Sequence, residues 1–194
     1  MSLTQRAVSF ISEEEYLETE RESETKHEYF QGEIFAMAGA SKAHNLIVTN
    51  VIREISTQLK KTPCRVYPSD LRVKIADTGL YTYPDVTVVC GEERFSDDRS
   101  DTLLNPKVII EVLSDSTEKY DRGTKFEHYR KLESLKEYVL ISQNRLKIEK
   151  FFKNETGFWV LTESDENNPI IILESVNCTL ELSEVYDKVE NIYR

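Results

Sequence analysis

The chain has 194 residues, 39% of them hydrophobic and 31% charged, the balance of a soluble globular protein with room for one substantial core, so we expect a single domain over 1–194. No apolar run approaches the roughly 20 residues that span a bilayer, and the stretch Met1 to Phe10 lacks the basic and apolar regions of a secretion signal, so a cytoplasmic protein without a membrane partner is expected. A formal charge of -10 argues against a protein that coats nucleic acid indiscriminately, because phosphate contacts need basic groups.

Charge is unevenly spread. Ser12 to Glu33 holds nine acids against Arg21 and Lys26, whereas Lys42 to Lys74 holds seven bases against Glu54 and Asp70. The second segment could face phosphate, or could be a helix and strand with solvated basic residues.

In chain order, SEEEYLETERE (12–22) opens with Ser12 and an acidic first turn, the signature of a capped helix. HEYFQGEIFAMAGAS alternates around Gly32 and reads as strands joined by a tight turn, with a loop at Gly39 to Ser41. From Lys42 to Lys61 the residues Leu46, Ile47, Val51, Ile52, Ile55 and Leu59 recur at helical steps, and Pro63 ends the segment. Three strand-like pieces follow, CRVYPSDLRVKI, YTYPDVTVVC and KVIIEVLS, the last two separated by a polar loop from Gly91 to Pro106. Asp121 to Leu135 reads as a second helix capped by Asp121, and EYVLISQ as a further strand. Helix, three strands, helix, strand implies an α/β or α+β protein with a mixed sheet and a helical crossover. RLKIEKFFK, GFWVLTES and IIILESVNCTLEL are antiparallel candidates, with a short helix from Ser183.

Cys64, Cys90 and Cys178 are far apart and odd in number, so packed thiols are expected rather than a disulfide framework or a zinc site. His27, His44 and His128 show no metal-ligand spacing. The chemistry lies in two misplaced acids. Glu111 interrupts the apolar run Val108, Ile109, Ile110, Val112, Leu113, and Asp85 follows Pro84 at the head of VTVV. Burying an isolated carboxylate costs several kcal/mol or more, so each needs a cation, a proton or a strand-end position. Two such acids on neighbouring strands suit Mg²⁺, with Mn²⁺ as substitute, because a hard dication accepts one or two carboxylates and keeps its waters. A metal there supports phosphodiester hydrolysis. Lys125, one turn into the following helix, is the cation for the developing charge, with Asp121 four residues earlier to orient it.

YPDVTVV, NPKVIIEVLS and DRGTKFEHYRKLESLKEYVLI, together with EYFQGEIFAMAGASKAHNLIVTNV, resemble the bacterial putative restriction endonuclease family within the PD-(D/E)XK nuclease superfamily. The resemblance runs from about Ile11 to Tyr186. It implies a restriction-endonuclease-like core, metal binding by Asp85, Glu111 and the Val112 carbonyl, and a Mg²⁺-dependent endonuclease acting on DNA as a homodimer. Leu113 stands where the superfamily pattern has its lysine, and Lys125 matches the lysine that this family carries on the next helix. Glu33 and His44 match further family positions and would complete a second shell or meet phosphate. The competing expectation is a nuclease fold that binds nucleic acid or protein without turnover, which Leu113 and the acidic charge favour.

Overall fold

The computed structural model describes residues 10–190 and Ile192. Apart from Phe10, the stretch read for a secretion signal therefore lies outside the described residues. Helix α1, Glu13–Glu22, starts at a capping box in which Ser12 accepts from the Glu15 amide and Glu15 reaches back to the Ser12 amide. Strands β1, His27–Phe30, and β2, Glu33–Ala36, form a hairpin whose two turn residues, Gln31 and Gly32, both hold positive φ. Glycine meets that demand at no steric cost. Helix α2, Lys42–Gln58, is capped by Ser41 and buries Ile47, Val51 and Ile55, the stripe set by its apolar spacing.

The first two strand-like pieces each divide in two. Strands β3, Cys64–Pro68, and β4, Arg72–Ile75, part at the turn after Pro68. Strands β5, Leu80–Thr82, and β6, Val86–Cys90, part around Pro84, which has no amide hydrogen for a ladder. The halves serve different sheets. One runs in the order β2-β1-β5-β4-β7, ending in the short β7, Thr102–Leu103. The larger has six strands, in the order β11, Trp159–Ser164, β10, Ile148–Lys153, β9, Glu137–Ser142, β8, Val108–Leu113, β6 and β3, with β8 and β9 as its parallel pair. The segment Tyr83 to Asp85 thus crosses from one sheet to the other.

Strand β8 is covered on both faces. Val108, Ile110 and Val112 pack with the α2 stripe, and Ile109 and Leu113 with Val73, Ile75, Phe126 and Tyr129 on the opposite side. Each fully buried aliphatic side chain contributes about 1.5–3 kcal/mol. The crossover between β8 and β9 is a helical segment, α3, made of Glu118–Tyr120, a π-helical turn Asp121–Lys125, and Phe126–Tyr129. It begins three residues before the expected Asp121 and stops well short of Leu135. Asp121 is not its cap: it is buried inside the wide turn. The tail supplies β10, Ile148–Lys153, and β11, Trp159–Ser164, then a separate hairpin, β12, Ile170–Leu173, with β13, Cys178–Glu181, and the short α4, Leu182–Val185.

The cysteines depart from expectation. Cys64 and Cys90 face each other in the β3–β6 register and form a disulfide, while Cys178 is a buried thiol. Their 26-residue separation carries no pattern, because only the antiparallel pairing brings the two together.

Candidate active site

The register between β6 and β8 answers why two acids stand in apolar strands. Val86 faces Ile110 in this antiparallel pair, so Asp85, just before β6, comes beside Glu111. The two carboxylates are laced through each other's backbone. Glu111 Oε2 accepts from the Asp85 amide at 3.2 Å, and Asp85 Oδ2 accepts from the Val112 amide at 2.8 Å.

His44 comes from the first turn of α2, where its amide donates to the Ser41 cap at 3.1 Å. Its Nε2 lies 3.0 Å from Asp85 Oδ2. The carboxylate can only accept, which assigns the proton to Nε2 and leaves Nδ1 as a buried atom without a partner.

Lys125 is 5% exposed, and its ammonium sits among three carboxylates. Glu111 Oε1 is 2.9 Å away, Glu28 Oε1 3.2 Å and Asp121 Oδ1 3.5 Å. Burial alone would favour the neutral amine, but the field of Glu111, Tyr129, Glu28 and Asp121 outweighs it and holds the lysine pKa well above its ordinary value. Leu113 is packed in the apolar cluster with Phe126 and Tyr129, so the amine beside Glu111 arrives from the helix, not from the strand. Glu111 also accepts from the Tyr129 hydroxyl at 2.8 Å. Burial pushes the Glu111 carboxyl up to about 8, against the pull of Lys125 and with the help of Asp121 and Asp85. Asp121 is likewise raised, chiefly by burial.

Asp85, Glu111, Val112, Lys125 and His44 therefore meet at one place. Glu33 does not join them. It is exposed on the edge strand β2, and among the described residues no hydrogen bond or ion pair ties it to the cluster. The hairpin contributes Glu28 instead, which sequence reading missed. Glu28 and Glu33 share a face, since Phe30 pairs with Glu33, but β1 is an inner strand and β2 an edge. Glu28 is opposite Thr82 by continuation of the Tyr29–Tyr81 pair, and the Thr82 hydroxyl donates to Glu28 Oε1. The Tyr120 hydroxyl donates to Glu28 Oε2 at 3.1 Å.

Among the described residues no three or more His, Cys, Asp or Glu side chains are grouped so that they could hold a metal ion. The oxygens expected as ligands, the Asp85 and Glu111 carboxylates and the Val112 carbonyl, are hard donors, a set that suits Mg²⁺ or Mn²⁺ with waters retained and does not suit zinc.

The family model described as Uma2, putative restriction endonuclease, matches residues 13–183. Two proteins of Synechocystis sp. (strain ATCC 27184 / PCC 6803 / Kazusa), both described as uncharacterized, are similar. The protein slr1290 is 36% identical over 178 residues, 91% of each chain. The protein sll1609 is 38% identical over 149 residues, 77% of this chain and 84% of that one. The crystal structure of a putative nuclease belonging to DUF820 from Anabaena variabilis ATCC 29413 superposes with a TM-score of 0.72 over 91% of this chain and 97% of that one. At 18% identity that likeness carries the mixed α+β fold alone. By the span of the family match and the identity of its relatives, the chain belongs to the Uma2 family, described as putative restriction endonucleases.

Proposed function

We propose that this chain is a Mg²⁺-dependent endonuclease that hydrolyses DNA phosphodiester bonds. The observation that carries the reading is the register that sets Asp85 beside Glu111, with the Lys125 amine 2.9 Å from the second acid. Asp85, Glu111 and the Val112 carbonyl would hold the metal, which when bound supplies a polarised phosphoryl oxygen and a more acidic water. His44 fixes the Asp85 carboxylate through Nε2, and Tyr129 fixes that of Glu111. Lys125 orients the attacking water or meets the charge that develops on the phosphate. Glu33 has no part in this scheme.

DNA as substrate puts the work in the cytoplasm. It also favours two copies of the chain, because symmetry-related sites cut both strands. The exposed Phe158, Val160, Ile170 and Ile172 on and beside β11 and β12 offer the apolar surface for that pairing. The second reading, binding without turnover, draws on Leu113 and on the formal charge of -10.

Nicking of supercoiled plasmid in Mg²⁺ or Mn²⁺ separates the two. Cleavage that Glu111→Ala abolishes supports the enzyme. Binding without cleavage, unaffected by the same substitution, supports the module.

A further inference from the structure

An ammonium group has three donors, and in this structure three carboxylates surround that of Lys125: Glu111, Glu28 and Asp121. The three are not equivalent. Asp121 lies four residues earlier on the same helical segment and moves with the lysine. Glu111 belongs to the pair proposed to hold the metal, so its Oε1 cannot be relied on as a fixed acceptor once that pair is engaged. Glu28 alone reaches Lys125 from a different sheet without belonging to that pair, at 3.2 Å.

Glu28 is itself fixed. Thr82, fully buried on the neighbouring strand, donates to Oε1, and Tyr120, at the start of α3, donates to Oε2. The carboxylate therefore joins the two-sheet junction to the helix that carries Lys125. That helix has a π-turn over Asp121–Lys125, a local widening of the kind found at functional sites.

We propose that Glu28 is the positioning residue for Lys125, holding its amine beside the Asp85–Glu111 pair when the metal draws on Glu111. This deepens the nuclease reading and rests on it. Glu28 touches neither metal nor phosphate in the scheme and acts through the lysine. Its loss should lower turnover, leaving metal affinity and plasmid affinity nearly intact.

The test uses Glu28→Gln, which keeps the shape and removes the charge, with Glu28→Asp as the conservative partner. Three readouts are taken on the full chain: Mn²⁺ binding by titration calorimetry, plasmid nicking in Mn²⁺, and the side-chain ammonium NMR signal of Lys125 in saturating diamagnetic Mg²⁺, assigned by its disappearance in Lys125→Arg. For Glu28→Gln we expect Mn²⁺ affinity within about twofold of wild type, a drop in kcat of about 10- to 100-fold at unchanged KM, and loss of the slowly exchanging ammonium signal. Glu28→Asp should restore part of both the rate and the signal. An unchanged ammonium signal in Glu28→Gln overturns the proposal, as does a rate loss that merely tracks weakened Mn²⁺ binding or a reduced folded fraction. If the wild type does not nick plasmid at all, the nuclease reading fails, and the NMR signal still decides whether Glu28 holds Lys125.

Discussion

Replacing Lys125 by methionine removes the one ammonium among Glu28, Glu111 and Asp121 and keeps most of the side-chain volume. At an effective dielectric of about 20, attractions across 2.9, 3.2 and 3.5 Å amount to about 5 kcal/mol each before desolvation is set against them. Breaking a buried ion pair by deleting one partner costs about 3–5 kcal/mol, and we expect a loss in that range for Lys125→Met at pH 8 without metal. The loss should depend on pH. Glu111 and Asp121 are already raised by burial, so ionising either one in the folded state costs stability; that stability is complete below the unfolded carboxylate pKa and drains away as the pH rises through the folded value. Without Lys125 both would rise further, so the variant stays protonated where the wild type ionises and the deficit grows with pH, for Glu111 from about pH 7 to pH 9. Urea unfolding of wild type and variant in EDTA across that interval measures it. A deficit below about 1 kcal/mol, or one that does not change with pH, would refute the view of Lys125 as the counter-ion of this cluster.

Other outcomes follow from the same geometry. Glu111→Gln keeps the shape of a carboxyl pushed up to about 8, so the difference in unfolding free energy between variant and wild type should shift in the variant's favour by at most about 1.4 kcal/mol per pH unit as the pH rises from 4.5 to 8. Parallel curves would show that Glu111 does not titrate there. Reducing Cys64–Cys90, which closes a separation of 26 residues, should cost about 3.5 kcal/mol by chain entropy, with Mn²⁺ affinity unchanged; urea midpoints with and without dithiothreitol check the first part and calorimetry the second. Glu33→Gln should leave plasmid nicking within about twofold of wild type, since Glu33 is exposed and away from the cluster; a tenfold loss would bring it back into the site.

Much of the candidate site's geometry was legible because acids in the wrong company are informative. Glu111 inside Val108–Leu113 and Asp85 beside Pro84 both broke the pattern of their strands, and the break is what the antiparallel register explains. Lys125 was legible from its place one turn into the helix expected after that strand. Glu28 was not. Its alternation with Phe30 and, across the turn, with Glu33 gives a face, but local sequence does not say that β1 is an inner strand and β2 an edge. The same limit hid the disulfide, since the β3–β6 pairing that joins Cys64 to Cys90 is long-range. Helix α2 was plain from its apolar stripe and Ser41 cap, whereas α3 was misjudged because Asp121, a good cap by type, is instead buried against Lys125. The two-sheet layout was also out of reach: CRVYPSDLRVKI and YTYPDVTVVC look continuous, and only the breaks at Ser69 and Pro84 hint that each serves two sheets.

The central claim is that Asp85 and Glu111 form one dication site, and titration calorimetry of Mn²⁺ into wild type and Asp85→Asn at pH 8 tests it most directly. We predict one Mn²⁺ per chain for the wild type and an affinity at least about tenfold weaker for the variant. Absence of binding heat in the wild type, or equal binding by both proteins, would contradict it.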